Sequence, residues 1–294
     1  MDVKTVTVVG AGTMGAGIAQ VCAQAGYETH LADADQLALE RGVQRIEEFW
    51  SKGIAKGKTT EAQREAWRAN LHASPDATGP AARSQLVIEA VPEDLRLKQR
   101  VFAEVDKAAP DGALLASNTS SLSVSAIAGA TKRPARVVGL HFFNPVPLMH
   151  LLEIVRHEAT DPDALRMAQD VGRRLGKTTI VVRDSPGFAT SRLGIVLGNE
   201  AMRMLEEGVA SARDIDTAMR LGYGHPMGPL ELSDLVGLDV RADVGDYLHS
   251  QFKGDHYRSP EILRRLVKAG ALGKKAGRGF YDWSDGTPRE RRLP

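Results

Sequence analysis

His141 ends an apolar run, Val137 to Leu140, and Phe142-Phe143-Asn144-Pro145 follow it. A neutral imidazole at a strand end can take a proton from a hydroxyl at pH 7, because its ordinary pKa lies close to neutrality. A histidine in such a place can equally cap a turn and do no chemistry. Glu153 favours the chemical reading. It interrupts the apolar run Leu151, Leu152, Ile154, Val155, where a carboxylate is costly to bury unless it has a partner. A strand lying beside 137–141 brings that carboxylate to the ring, fixing its tautomer and stabilising the imidazolium. Ser117-Asn118-Thr119-Ser120-Ser121 supplies hydroxyls and an amide at another strand end. One hydroxyl can hydrogen-bond a reacting oxygen, or the run is simply a turn in which Ser121 or Ser123 caps the next helix.

The element that would bring a ligand to these groups opens the chain. Val6-Thr-Val-Val9 runs into Gly10-Ala11-Gly12-Thr13-Met14-Gly15, and the helical pattern of Ile18, Val21, Cys22 and Ala25 follows. In a strand–loop–helix of this kind the first glycine permits the tight turn. The second lets a pyrophosphate approach the backbone, and the third lets the helix pack closely. Phosphates then sit on the N–H groups of the helix N-terminus, where the dipole favours negative charge. A second apolar run, Thr29 to Ala32, ends at Asp33, about 20 residues on, where a carboxylate accepts both ribose hydroxyls of an adenosine. A 2′-phosphate would meet Asp33 as a like charge, and Ala34-Asp35-Gln36 offers no base before Arg41. NAD is therefore expected over NADP.

Strand signals recur at Leu86–Ile88 ending in Glu89, at 113–116 before Ser117, at 137–140 before His141, and at 150–155 and 178–183. Helical stretches separate them at 95–109, 124–128 and 162–175. This alternation predicts an α/β fold, a Rossmann-type doubly wound parallel sheet with helices on both faces. Such sheets bind ligands outside the carboxyl ends of their strands, where Asp33, Glu93, Ser117 to Ser120 and His141 gather. Residues 36–70 read as a helical hairpin turning at Lys56-Gly57-Lys58. Its Lys52, Lys56 and Lys58 either face solvent or meet a phosphorylated ligand. The character changes at Asp184-Ser185-Pro186-Gly187. A domain of residues 1–184 and an all-α domain of residues 185–294 are expected, with Leu193, Val196, Leu197 and Met204 on a long buried helix.

The 294 residues carry a net charge of +1, which gives no global attraction to nucleic acid or to an anionic membrane. No apolar run approaches the length of a membrane span. The first strand begins almost at once, so no signal peptide is expected. The single Cys22 suits a core position and a reducing cytoplasm. With one cysteine and no His-x-x-x-His, no metal site is expected.

In sequence the chain resembles the 3-hydroxyacyl-CoA dehydrogenase family, most closely its short stand-alone members. The resemblance rests on Gly10-Ala-Gly-Thr-Met-Gly-Ala-Gly-Ile-Ala19, Val87-Ile-Glu-Ala-Val-Pro-Glu93, Ser117-Asn-Thr-Ser-Ser121 and Gly139-Leu-His-Phe-Phe-Asn-Pro-Val-Pro147. It continues with Asp184-Ser-Pro-Gly-Phe188, Pro226-Met-Gly-Pro229 and Gly273-Lys-Lys-Ala-Gly-Arg-Gly-Phe-Tyr281. It implies that His141 is the catalytic base, Glu153 its partner, and Ser120 a contact of the substrate hydroxyl near the nicotinamide. It further implies NAD contacts from Asp33, Glu93, Lys98, Ser120, Asn144 and Lys275 alongside the glycine loop, an acyl-CoA substrate between the domains, and a homodimer through the helical domain. Asn144 and Ser191 are also candidate substrate contacts. One position departs from the family: Ala189-Thr190-Ser191-Arg192 stands where an Asn commonly precedes the Arg. The expected activity is NAD-dependent oxidation of a short-chain (S)-3-hydroxyacyl-CoA. The alternatives are a non-CoA hydroxy acid or sugar acid as substrate, or a non-catalytic NAD-binding protein on the same scaffold.

Overall fold

The computed structural model describes residues 2–293. Contacts divide the chain into two compact units, Met1–Ser185 and Pro186–Pro294. In the first, the elements are β1 (Thr5–Val9), α1 (Thr13–Gln24), β2 (Glu28–Ala32), α2 (Gln36–Ala55), α3 (Glu61–Ala69), β3 (Leu71–Ser74), α4 (Thr78–Ala81), β4 (Leu86–Glu89) and α5 (Leu95–Ala108). Then follow β5 (Leu114–Ser117), α6 (Val124–Ala128), β6 (Val137–Phe142), β7 (Leu151–Arg156), α7 (Pro162–Arg174) and β8 (Thr178–Arg183).

The strands form one sheet in the order β3-β2-β1-β4-β5-β6-β7-β8. The order reverses between β1 and β4, the point at which doubly wound sheets bind ligands. β1, β4 and β5 are buried throughout, and apolar apart from Thr5, Thr7, Glu89 and Ser117, as suits strands covered on both faces. Ile18, Cys22, Leu31, Ile46, Trp50 and Ile88 share the core. Cys22 is fully buried, and burial pushes its thiol up to about 12.

The sheet departs from the expected all-parallel pattern at β7, which runs antiparallel to β6. Residues 143–150 join the two strands, and a parallel crossover needs a dozen or more. The chain therefore reverses, and α7 then returns it to β8, parallel to β7. β3 was not anticipated. It is an edge strand with only Leu71 buried, so it leaves no apolar run to read. Residues 36–55 and 61–69 form the helices α2 and α3. Asp35 caps α2 by accepting from Leu37 and Ala38, and Thr60 with Gln63 forms a capping box on α3. Each cap contributes about 1 kcal/mol.

The second unit holds α8 (Thr190–Glu206), α9 (Ala212–Gly222), α10 (Pro229–Val236), α11 (Leu238–Phe252), α12 (Glu261–Lys268), and a short hairpin of β9 (Tyr281–Asp282) and β10 (Arg289–Glu290). An all-α unit is thus corrected by this hairpin. Asp285 accepts from the Thr287 N–H, and Gly286 takes φ +83°, which reverses the chain. Two buried carboxylates organise the unit. Asp216 accepts from the N–H groups of Leu230 and Glu231 at the start of α10 and from the Tyr281 hydroxyl. Asp234 accepts from Phe280, Tyr281 and the Trp283 indole. Leu193 is a second correction. It is 71 % exposed, and α8 buries Ile195, Gly198, Asn199 and Met202 instead.

Candidate active site

Gly10 takes φ +103°, and a Cβ there would meet the Ala90 carbonyl at 2.7 Å. A Cβ on Gly15 would come within 1.7 Å of the Gly10 carbonyl oxygen, whereas one on Gly12 would have no atom within 4 Å. Gly10 and Gly15 thus build the turn, and Gly12 faces open space. No side chain caps α1, so the first N–H groups of the helix stand uncapped beside that space. A cavity of about 780 Å³ opens there, lined by Gly12, Thr13, Met14, Asp33, Ala90 and Pro92 among others. Asp33 lies at its rim, where its two carboxylate oxygens accept from the Ala11 N–H at 2.7 Å and the Asp35 N–H at 2.9 Å. Each oxygen has a second lone pair for a ribose hydroxyl. The size, the uncapped helix end and the acceptor at the second strand all fit a dinucleotide. When bound, that group supplies or accepts the hydride.

At the next strand ends, Lys98 and Glu89 are buried together, each 1 % exposed, with Nζ donating to Glu89 Oε1 at 2.8 Å. The same ammonium donates to the Val91 carbonyl at 3.2 Å and lies 3.2 Å from Glu93 Oε2. Its three donors are thereby committed within the protein. Glu93 Oε1 accepts from the Thr119 hydroxyl at 2.6 Å and the Ser120 N–H at 3.0 Å. Burial opposes ionisation of Glu93, but the Lys98 charge and these donors outweigh it and hold the carboxyl below the usual range. Ser117 donates to Glu89 Oε2 at 2.7 Å. Ser123, rather than Ser121, caps α6 through the Ala126 N–H.

In the β6–β7 register His141 stands opposite Glu153. Nδ1 lies 2.7 Å from Glu153 Oε2, both side chains are buried, and Phe143 packs on the imidazole with ring centroids 4.4 Å apart. Because a carboxylate only accepts, Nδ1 carries the proton in the neutral ring and Nε2 presents its lone pair. Asn118 Oδ1 accepts from the Phe142 N–H at 2.9 Å and ties the serine loop to the end of β6. Asn144 lines a second cavity, of about 220 Å³, with Thr13, Gly17, Gln20 and Phe49. In the second unit, Lys275 Nζ lies 2.6 Å from Asp239, and Ser191 occupies the first turn of α8.

Two groups in the first unit escaped the sequence reading. Glu89 ends an apolar strand as conspicuously as Glu153 interrupts one, so the same burial argument called for a cation, here Lys98. Lys177 is buried and donates to the carbonyls of Val146 and Met149, each at 2.6 Å, fixing the turn that follows Asn144. Burial lowers its pKa. A lysine in a Gly-Lys turn carries no local sign of this. Among the described residues no His, Cys, Asp or Glu group is arranged to hold a metal, and no helix is long and apolar enough to cross a membrane.

A family model described as 3-hydroxyacyl-CoA dehydrogenase, NAD binding domain, matches residues 5–185, and one described as its C-terminal domain matches residues 187–283. The chain is 44% identical over 283 residues to the 3-hydroxybutyryl-CoA dehydrogenase of Mycobacterium tuberculosis, covering 96% of this chain and 99% of that one. It is 41% identical over 287 residues to a probable 3-hydroxybutyryl-CoA dehydrogenase of Bacillus subtilis, covering 98% of this chain and 100% of that protein. The crystal structure of (S)-3-hydroxybutyryl-CoA dehydrogenase from Ralstonia eutropha superposes with a TM-score of 0.91 at 39% identity, covering 96% of this chain and 99% of that chain. The glycine cradle, the strand-end acceptor and the histidine–carboxylate pair therefore stand on a chain that belongs to the 3-hydroxyacyl-CoA dehydrogenase family.

Proposed function

We propose that the protein is an NAD-dependent dehydrogenase of short-chain (S)-3-hydroxyacyl-CoA, acting reversibly between the 3-hydroxy and 3-oxo thioesters. The His141–Glu153 contact at 2.7 Å is the observation that carries this reading beyond cofactor binding. In the oxidative direction His141 Nε2 takes the hydroxyl proton as the hydrogen on C3 leaves as hydride. Glu153 holds the Nδ1 proton and offsets the positive charge that develops on the ring. In reverse the imidazolium returns the proton to the 3-oxo oxygen. Ser120 hydrogen-bonds that oxygen. Glu93, ionised and fixed by Lys98, braces the serine loop beside the nicotinamide. Asp33 takes the ribose hydroxyls, Asn144 and Lys275 add contacts to the cofactor, and Ser191 contributes a hydroxyl to the substrate in place of an amide.

Initial rates of NADH and NADPH oxidation with acetoacetyl-CoA test both the reaction and the cofactor. Turnover with NADH is expected, with a clear preference over NADPH. Asp33→Ala should narrow that preference, because the like charge facing a 2′-phosphate is gone. Equal kcat/KM for the two cofactors in the wild type would remove Asp33 from this role. Absence of turnover with acetoacetyl-CoA, alongside reduction of a CoA-free 3-oxo acid, would move the substrate class instead.

We further propose a homodimer through the second unit, in the cytoplasm, where the buried thiol of Cys22 stays reduced. Leu221 and Tyr223 are 81 % and 79 % exposed, and Leu193 and Val209 are exposed as well. Leu221 and Tyr223 stand two residues apart at the end of α9, and exposed apolar groups of this size suit an association surface. Sedimentation should give twice the chain mass at micromolar concentration, and Leu221→Asp should shift it toward the monomer.

A further inference from the structure

The connection between β6 and β7, residues 143–150, carries Asn144 and the Phe143 ring that packs on His141. Apolar packing does little to hold it. Val146 is its one buried residue, and Leu148 and Met149 are 60 % and 40 % exposed. Two contacts secure its middle. Gly17 of α1 leaves room for Val146, since a Cβ there would come within 2.9 Å of the Val146 Cβ. Lys177, in the turn before β8, donates to the Val146 and Met149 carbonyls, each at 2.6 Å. This lysine is 8 % exposed, and burial alone acts on its pKa, so no carboxylate offsets its charge. An ammonium buried without a counter-charge is costly, and an apolar side chain would fill the space without that cost. What the lysine adds is a pair of donors for two inward carbonyls. The turn is also closed on itself, because the Pro145 carbonyl accepts from the Leu148 and Met149 N–H groups at 2.9 and 3.0 Å. Asn144 stands at the head of this closed piece. Thr13, the first residue of α1, lines both the cavity that Asn144 borders and the larger one beside the glycine loop.

We propose that Lys177 is a positioning residue for Asn144: its two bonds hold the turn so that Asn144 stays beside the first turn of α1, and the reaction depends on Lys177 through that residue. The inference rests on the functional reading above, which gives Asn144 to the cofactor. Without the ammonium the Val146 and Met149 carbonyls lose their donor. A buried carbonyl needs one, and a turn this exposed regains it by moving toward water. Asn144 moves with the turn, while the buried strands of the sheet stay in place. A shift of about 1 Å in a contact residue is enough to cost about 100-fold in rate.

The test is a double-mutant cycle on wild type, Lys177→Met, Asn144→Ala and the double variant. It reads kcat/KM for NADH at saturating acetoacetyl-CoA and the NADH dissociation constant by fluorescence, with urea denaturation to verify folding. Lys177→Met should lower kcat/KM by about 10- to 100-fold and weaken NADH binding. Asn144→Ala should lose at least as much, and adding Lys177→Met to it should change either readout by less than about threefold, because two residues acting in series are not additive. Lys177→Gln, which keeps two N–H donors on a shorter stem, should fall between wild type and Lys177→Met. A folded Lys177→Met with kinetics and NADH affinity like wild type overturns the proposal. So do equal losses with and without Asn144, which would make Lys177 a support of the fold at large. If Lys177→Met does not fold, the same cycle is read with Lys177→Gln. The two readings fail differently. Asn144→Ala with normal kinetics and normal NADH affinity removes Asn144 from the functional reading and the inference with it. Losses in Asn144→Ala beside an unaffected Lys177→Met sink the inference alone. A wild type that binds NADH without turning over acetoacetyl-CoA overturns the substrate reading, and the dissociation constants still decide on Lys177.

Discussion

Replacing His141 with alanine should lower kcat by about 10²–10⁴-fold, the usual contribution of a positioned general base. The NADH dissociation constant should hardly change, since in the proposed mechanism the imidazole acts on the substrate oxygen, and the proposed cofactor cradle is built from β1, α1 and Asp33. Glu153→Gln should also reduce kcat. An amide can donate to Nδ1 and so favour the tautomer with its proton on Nε2, which cannot accept the substrate proton. It also brings no charge to offset the imidazolium. The double variant should be little worse than His141→Ala alone, because Glu153 works through the ring. Stopped-flow and steady-state rates with acetoacetyl-CoA, together with NADH titration by fluorescence, read all three effects. Near-normal turnover in His141→Ala would take the residue out of the mechanism.

Lys98→Met should destabilise the protein by about 3–5 kcal/mol, the cost of removing one partner from a buried ion pair. Met keeps much of the packing of the lysine stem, so the loss reports the charge. Glu89 would remain buried with its Ser117 and Val91 donors but no cation. The pH dependence separates this cause from a packing defect. In wild type the Glu93 carboxyl is held below its ordinary range, burial being outweighed by Lys98 and the serine-loop donors. The stability it contributes is therefore present above about pH 4.3, the unfolded value. It is lost as pH falls through the lower folded value. In Lys98→Met burial acts on Glu93 without the opposing cation, and its carboxyl rises. The deficit should be largest near pH 7 and shrink as acid neutralises Glu93. Urea denaturation of the two proteins from pH 7 down to 4 measures it. A deficit under about 1 kcal/mol that is flat with pH would show that the cluster does not depend on its charge. The NADH KM should rise in the variant as well, since the serine loop loses the brace that Glu93 provides.

How much of this was legible beforehand follows from the range of each interaction. Gly10, Gly12 and Gly15 act through the backbone of a single turn, so their spacing was enough to place the cradle, and Asp33 followed from the length of one β–α–β unit. The alternation of apolar and amphipathic segments set the sheet, because a strand covered on both faces must be apolar along its length. The helix caps at Asp35, Thr60 and Ser123 are likewise local. Glu153 showed by its isolation in an apolar strand that it needed a partner. That His141 is the partner depended on an antiparallel register that only the folded sheet provides. The eight-residue connection forcing that reversal was present in the sequence but carried no apolar pattern to draw attention to it.

Edge strand β3 and the β9–β10 hairpin left no apolar run, since neither is covered on both sides. Leu193 looked like core because α8 carries apolar residues around much of its circumference. Which stripe is buried depends on where α10 and α11 pack. Lys98 and Lys177 are the clearest cases. A lysine in a sequence reads as surface, and burial is decided by the acceptors that distant segments bring to it. The sequence by itself determined the sheet, the cofactor cradle and the residue types available for catalysis, because those depend on short-range backbone geometry and on hydrophobic periodicity. Only the tertiary structure decided which charges are buried and with what partner, because that depends on strand register and helix packing between residues far apart in the chain.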